Sequence, residues 1–416
     1  MDRRKIIIIG AGASGLLAAG TAASSGADVV VLEKMHRPGR KLRITGKGRC
    51  NLTNIADIPD FISHFGKNGK FLRQAFARFF SYDLIKLLTE LNVVVQTERG
   101  GRVFPAGNDA RQVVDALTEW VKSKGAVIKK KYPINEIIIK GHRAIGVSGK
   151  TDMLADAIIV ATGGKSYPAT GSTGDGYDFA ASAGHTIVPL RPALVPIETK
   201  GNTAARLQGL SLKNISVSVY IDGRKKYSKF GEMIFTHYGV SGPIILSLSK
   251  YIVDALRDKK EIEISIDLKP ALDEKKLDNR LLRDIKQGSK KHFQNMLKGL
   301  LPQKLISPFC ELTNIDSDKT IQQITVEERK RLRTLLKDFR LKVSGHKSYD
   351  EAIVTAGGIA LKEINPLTMK SRIISNLYFC GEILDLDGET GGYNLQAAFS
   401  TGYLAGISAA SLATEK

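Results

Sequence analysis

Ile6-Ile7-Ile8-Ile9-Gly10-Ala11-Gly12-Ala13-Ser14-Gly15 decides the fold. Four consecutive isoleucines are too short for a buried helix and suit a strand covered on both faces, as in a parallel sheet. The run ends in G-x-G-x-x-G. Leu16 to Ser25, rich in Ala and Leu, predicts a helix, and Gly26, a second strand from Ala27 to Leu32, and Glu33 follow. The stretch is a βαβ unit with an acid 18 residues after the third glycine. Gly10 permits the tight turn, Gly12 admits a pyrophosphate against the backbone, and Gly15 lets helix and strand pack closely. The helix N-terminus presents unbonded N–H groups to the phosphates, and Glu33 can accept from ribose hydroxyls. An acid there favours an unphosphorylated ribose, hence FAD or NAD over NADP. The motif by itself does not choose between them.

At 416 residues the chain exceeds one ordinary core, so two or three domains are expected. It is 43% hydrophobic and 25% charged, a globular composition without a run of roughly 18 apolar residues. The chain passes from charged residues straight into a strand, with no secretory leader pattern, so a cytoplasmic protein without a membrane span is expected. Cys50, Cys310 and Cys380 lie far apart, which argues against a disulfide framework, a structural metal site or a redox dithiol.

The net charge of +20 is unevenly placed: +11 over 1–130, +12 over 191–345, and −3 over the remainder. FAD brings only about two negative charges, so the excess points to a polyanionic partner. A generically basic surface is the plainer alternative.

Arg37 to Asn54 follows Glu33. Six residues between Arg37 and Arg49 are basic and none is acidic. Its glycines make it a loop able to lie against cofactor phosphate or flavin. The apolar spacing of 58–92 predicts core helices, and Ala110 to Lys124 an amphipathic helix. Leu154 to Val160 reads as a buried strand ending in Ala161-Thr162-Gly163-Gly164, and Tyr177 to Gly184 as a helix. Prolines 189, 192 and 196 mark a boundary. Beyond it, Val195–Glu198, Leu212–Ile221, Met233–Thr236 and Ile262–Leu268 read as strands of a β-rich insert. Residues 271–342 read as basic helices. After 345 the first domain's style returns: Ala352 to Ile359 is a strand and turn, and Leu377 to Phe379 is a strand ending in Cys380-Gly381-Glu382. Gly391-Gly392-Tyr393-Asn394-Leu395 opens a helix from Gln396 to Ser411. The expected organisation is a discontinuous dinucleotide domain (1–190 with 345–416), a β-rich insert (191–270) and a basic helical subdomain (271–344).

The C-terminal pieces select FAD. An extended flavin cofactor crosses the whole sheet and needs more than the first helix. Glu382 can hold ribitol hydroxyls, and a second helix N-terminus at Gly392 to Leu395 can face the flavin pyrimidine carbonyl. No second complete G-x-G-x-x-G exists for a separate NAD(P)H domain.

Gly39-Arg40-Lys41, Thr45-Gly46-Lys47-Gly48-Arg49-Cys50-Asn51-Leu52-Thr53-Asn54, Phe235-Thr236-His237-Tyr238-Gly239-Val240-Ser241-Gly242-Pro243, Thr355-Ala356-Gly357-Gly358 and Gly391-Gly392-Tyr393-Asn394-Leu395-Gln396 together give the chain a relative. It resembles the BaiN/RdsA-like (YhiN-type) bacterial flavoproteins nearly end to end. The resemblance implies an α/β fold with a Rossmann-like, glutathione-reductase-type FAD domain, interrupted by a β-barrel-like substrate domain that carries a helical subdomain. It implies activities of three kinds: aminoacetone oxidation, reduction of steroid-like bile acid intermediates, and synthesis of dihydrouridine in large-subunit ribosomal RNA.

The candidate cofactor contacts are Gly10, Gly12, Ser14 and Gly15, then Glu33 and Lys34. The basic stretch adds Arg40, Lys41, Gly48, Arg49, Cys50 and Asn51. The later strand ends add Ala161, Thr162, Gly163, Gly381 and Glu382, and the last helix adds Gly392, Tyr393, Asn394 and Leu395. No metal site is expected. Candidate proton donors are Cys50 and His237, with Tyr393 lining the pocket. Cys50 also suits a small residue packed under the flavin, and His237 a satisfied core histidine. The charge map favours an RNA-modifying reductase, in which hydride reaches C6 of a uracil, an acid protonates C5, and NAD(P)H reloads the flavin. A small-molecule oxidase or reductase and a non-catalytic RNA-binding flavoprotein are the alternatives.

Overall fold

The computed structural model describes residues 3–288 and 290–411. They divide into two compact units, Met1–Ala193 with Tyr349–Lys416, and Leu194–Ser348.

The first unit is built on a five-stranded parallel sheet. Across it the order is Leu377–Phe379, Ala157–Val160, Lys5–Ile9, Asp28–Glu33 and Val127–Lys130. The isoleucine run is the middle strand, with Ile7 level with Val30 on one side and Ile158 on the other. Both its faces are covered, so all four isoleucines are buried and no polar alternation is needed. The first helix, Ala13–Ser24, lies against the last, Tyr393–Ala410. Their approach depends on missing side chains. A Cβ at Gly402 would stand 2.3 Å from the Ser14 carbonyl oxygen, and one at Gly406 2.5 Å from that of Ala18. On another side of the first helix, Gly20 makes room for the ring of Trp120 in helix Ala110–Ser123. Small antiparallel sheets flank the main one, including Glu136–Lys140, Arg143–Ser148 and Met153–Leu154. Ile187–Ala193 pairs with Val354–Ile359.

The second unit contains a closed six-stranded barrel. Its order is Ile197–Thr199, Gly239–Ser241, Arg224–Phe235, Ser211–Ile221, Ile262–Asp267 and Phe339–His346. Closure leaves no sheet edge to pair wrongly. Helices Glu274–Gln287, Phe293–Leu297, Gln303–Thr313 and Val326–Lys337 follow. Leu281, Phe309 and Leu336 from these helices share one apolar cluster with Val217, Ile264 and Phe339 of the barrel. Barrel and helices therefore form one core.

Four local readings change. The helical stretch 271–342 ends early, because Phe339, Leu341 and Val343 alternate with exposed residues and form the sixth barrel strand. The Arg37–Asn54 loop contains a short helix, Arg40–Ile44. The last helix begins at Tyr393, not Gln396, with Gly392 at φ 99° as its left-handed N-cap. The helix Pro243–Arg257 was not anticipated. Its stripe of Ile244, Ile245, Leu248 and Ile252 is buried in the barrel-unit core, and Pro243 occupies its first turn. None of the described helices is long and apolar enough to cross a membrane.

Candidate functional site

The three glycines of the opening motif differ in what surrounds them. A Cβ on Gly15 would stand 1.9 Å from the Gly10 carbonyl oxygen, so close packing of helix on strand excludes any side chain. Gly10 has φ +101°, and a Cβ there would stand 2.6 Å from the Ala161 carbonyl oxygen. A Cβ on Gly12 meets nothing within 4 Å. The protein's own packing gives no reason for glycine at 12, but the position lines a cavity in the first unit. Open space above a helix N-terminus is what a pyrophosphate requires.

Glu33, at the end of the second strand, lines the same cavity. Its carboxylate accepts from the Ala11 N–H at 2.9 Å and the Met35 N–H at 2.8 Å. Burial pushes its pKa up, opposed by those amides and by the charges of Lys34 and Arg40. Each oxygen keeps a second lone pair for a ribose hydroxyl. Ser14, Lys34 and Arg40 line the cavity too. Lys34 is held by Asp175 at 2.7 Å and by Thr173.

At the far end stands Glu382. One carboxylate oxygen accepts from Lys41 Nζ at 2.6 Å. The other accepts from Ser166 Oγ at 3.0 Å and the Thr355 N–H at 2.8 Å. Lys41 also bonds Ser166 Oγ. Thr355 Oγ1 in turn accepts from the N–H groups of Lys165 (2.8 Å) and Ser166 (3.1 Å). The turn after Ala157–Val160 is thus hung from the antiparallel pair and from Glu382. Ser166 and Thr355 were not anticipated as site residues. Thr355 opens a quoted motif and Ser166 lies two residues past Gly164, but only the fold brings them together. Ala161, Thr162, Gly163 and Gly381 line the cavity between the two acids. The Thr162 hydroxyl is buried without a hydrogen-bond partner among the described residues.

Asn394 and Leu395, in the first turn of the last helix, close the lining. The first-turn amides of a helix have no carbonyl of their own helix to bond. The Asn394 side chain instead ties down a neighbouring loop through the Gly388 N–H (2.8 Å) and carbonyl (2.9 Å).

The remaining candidates are not among the residues that line this cavity. Arg49 donates to Asn108 at 2.7 Å, pairs with Glu98 and lies over Phe104 at 4.3 Å. Gly48, beside it, has φ +86°. Cys50 is fully buried at φ 61°, and burial pushes its thiol up to about 12. With its amide oriented to satisfy both neighbours, Asn51 accepts from the Gly392 N–H at 3.0 Å and donates to the Thr53 carbonyl at 3.2 Å. Tyr393 is buried, with its ring stacked on His64 (3.8 Å) and edge-on to Phe61 (4.8 Å). Burial, then the charges of Asp60 and Glu389, push its hydroxyl up to about 12. His237 belongs to the second unit. It sits exposed at a turn, edge-on to Tyr238 at 4.8 Å, and is not a core histidine.

These residues fit FAD. Gly12 leaves backbone approach open, Glu33 and Glu382 offer acceptors at opposite ends of one cavity, and two helix N-termini border it. No cluster of side chains among the described residues suits a metal ion.

Comparison with known proteins agrees with this geometry. Residues 4–408 match the HI0933-like protein Rossmann domain. The chain is 32% identical over 408 residues to the 3-dehydro-bile acid delta(4,6)-reductase of Clostridium scindens, covering 98% of this chain and 99% of that one. It is 33% identical over 410 residues to the ribosomal RNA dihydrouridine synthase of Haemophilus influenzae, covering 97% of each. Among solved structures, the 3-ketosteroid-delta4-(5alpha)-dehydrogenase of Rhodococcus jostii RHA1 shares the fold with a TM-score of 0.52, at 13% identity over 98% of this chain and 97% of that one. The chain belongs to the HI0933-like Rossmann family and is an FAD-dependent oxidoreductase.

Proposed function

We propose that the protein is an NAD(P)H-driven reductase that converts a uridine of large-subunit ribosomal RNA to dihydrouridine. The observation that carries this reading is the placement of charge: +12 over residues 191–345, against −3 over 131–190 and 346–416 together. A cofactor of about two charges does not call for such a surface, whereas a phosphate backbone does. A relative named a ribosomal RNA dihydrouridine synthase, similar along 97% of this chain, supports the same reading.

The net change is addition of a hydride at C6 and a proton at C5 of the uracil ring, with NAD(P)H consumed. FAD, when bound, supplies the two-electron hydride chemistry. Glu33 would accept from the ribose, and Lys41 and Glu382 would hold the ribitol end. The amides of Asn394 and Leu395 would face a developing negative charge. The candidate proton donors are Cys50 and His237, whose imidazole is exposed. The buried thiol of Cys50, raised to about 12, gives up its proton poorly. Tyr393 would shape the start of the last helix.

A second reading has its own support, the 32% identity to a bile acid reductase. Dihydrouridine synthesis and enone reduction share one chemistry, hydride addition to a C=C conjugated with a carbonyl. An amine oxidase does not share it. The test is turnover of large-subunit ribosomal RNA with NADH or NADPH, read by mass spectrometry as a gain of two hydrogens on uridine. Conversion of a steroid enone with none of RNA would replace the first reading by the second.

A further inference from the structure

Within the barrel, the strands Ser211–Ile221 and Arg224–Phe235 form a long hairpin. They turn through Asp222-Gly223, both at positive φ (49° and 74°), the pair of left-handed residues a two-residue hairpin turn needs. The two strands and their turn carry five cations (Lys213, Arg224, Lys225, Lys226 and Lys229) and two acids.

Register decides which side chains face out. Val217 and Val219 are fully buried in the barrel. Strand side chains alternate, so Ser216, Ser218 and Tyr220 point to the other face. Across the ladder, Ser216 pairs with Phe230, Ser218 with Ser228, and Tyr220 with Lys225. The outer face thus presents Phe230, 65% exposed, near Ser216 and Ser228; Ser228 also bonds the buried Ser218 at 3.1 Å. At the other end the Arg340 guanidinium lies over the Tyr220 ring at 4.2 Å. Arg340 is itself neutralised by Glu263 and Asp338, whereas Lys225 and Lys226 stand exposed at the hairpin tip.

An exposed phenylalanine on a strand this basic does not serve the barrel core, which it faces away from. A face with an open aromatic ring and cations at one end has the components of a stacking site for unpaired bases, with lysines for the phosphates. We propose that the outer face of this hairpin binds a single-stranded stretch of RNA. The proposal rests on the RNA reading above and extends it to a particular surface. A single strand is favoured over a duplex because a ring offers a base nothing unless that base is unstacked.

The test uses the full-length, FAD-loaded protein and a fluorescein-labelled oligouridine, with a duplex of equal length as comparison. Anisotropy is read between 50 and 200 mM salt, the range over which phosphate contacts show. Phe230→Ala is expected to raise Kd for oligouridine about tenfold. Lys225→Ala with Lys226→Ala is expected to flatten the slope of log K against log salt by about 1.4, two single-strand phosphate contacts. The flavin absorbance spectrum and the melting temperature report whether each variant is folded. Wild type without affinity for oligouridine, or variants that bind as wild type does, would overturn the proposal. So would a Phe230→Ala effect that follows loss of self-association on gel filtration, which would make this face a contact between copies of the chain. Dihydrouridine formation is scored separately. Variants that lose binding where wild type makes no dihydrouridine keep the surface and remove the reaction. Wild type that makes dihydrouridine, with Phe230→Ala converting RNA equally well, keeps the reaction and removes the surface.

Discussion

Lys41 and Glu382, 341 positions apart, meet at 2.6 Å, with their side chains only 21% and 19% exposed. The contact ties the short helix after the second strand to the end of the last one, and so joins both halves of the discontinuous unit at one end of the cavity. A charge-assisted hydrogen bond with this little exposure contributes about 1.5–3 kcal/mol. Lys41→Met is expected to weaken FAD binding by about tenfold to a hundredfold, measured by flavin fluorescence on titration into apoprotein. Pairing it with Glu382→Gln should cost less than the sum of the two single changes. Strict additivity would show that the pair does not act together.

Gly12 and Gly15 should separate binding from folding. Gly15→Ala places a Cβ 1.9 Å from a backbone oxygen and is expected to lose about 2 kcal/mol or more of stability, seen as a lower melting temperature of the apoprotein. Gly12→Val projects into open space. It should leave the apoprotein melting temperature nearly unchanged while purified protein comes without yellow colour. Equal destabilisation by both would contradict a phosphate-facing role for Gly12.

Gly402 should behave as a packing residue although it lies in a helix. Gly402→Leu cannot be accommodated against the Ser14 backbone. The first and last helices should separate, and flavin retention and thermal stability should fall together. The Trp120 ring, packed on Gly20 of the first helix, gives a fluorescence report of the same disturbance.

The cysteines should be silent in the folded protein. All three are buried, and burial pushes Cys50 and Cys380 up to about 12. At pH 8 about one such thiol in ten thousand is thiolate. A thiol-reactive dye should label none of the three until guanidinium exposes them, after which three equivalents should react. Fast labelling of Cys50 in the native state would show that the Arg37–Asn54 stretch opens.

Glu311 gives a pH-dependent contrast. Arg206, then Ser307, holds its carboxyl down at about 2, against an ordinary 4.5. A depressed carboxylate contributes stability above its unfolded value and loses it as pH falls toward the folded one. Glu311→Gln should therefore lower the melting temperature at pH 7, and the gap should close between pH 4.5 and pH 2. The pair is exposed, so added salt should shrink the gap at every pH. A gap that persists at pH 2 would assign the effect to packing.

Charge reversal tests of RNA binding must avoid cations that hold the fold. Arg329 pairs with Asp278 at 3.1 Å, and Arg331 donates to the Thr313 carbonyl at 2.8 Å. Lys275 and Lys276 are exposed. Reversing the two lysines should weaken RNA binding at unchanged melting temperature, whereas reversing the two arginines should lower that temperature. Loss of stability with the lysine pair would mark those charges as structural too.

The isoleucine run, the glycine spacing and Glu33 are local, and their chemistry can be read residue by residue. A four-residue apolar strand needs two covered faces, and that already implies a parallel sheet with helices. The alternation of Phe339, Leu341 and Val343 is just as local, but it was obscured by the charged helices before it, and only barrel closure gave it meaning. The Pro243–Arg257 helix is local too, legible in the spacing of Ile244, Ile245, Leu248 and Ile252. Ser166 carries no local signature, and the motif that opens with Thr355 does not name its partners. Their roles come from meeting Glu382 across 216 and 27 positions. His237 shows the same limit in reverse, since sequence alone left its burial open and the fold leaves it exposed. Periodicity and glycine stereochemistry act within a few residues, so the sequence by itself determined the class of fold and the kind of cofactor. Hydrogen-bonded networks and surfaces are assembled from distant residues whose faces are set by register and packing. For that reason only the tertiary structure decided which charges hold the fold, which line the cavity and which look outward.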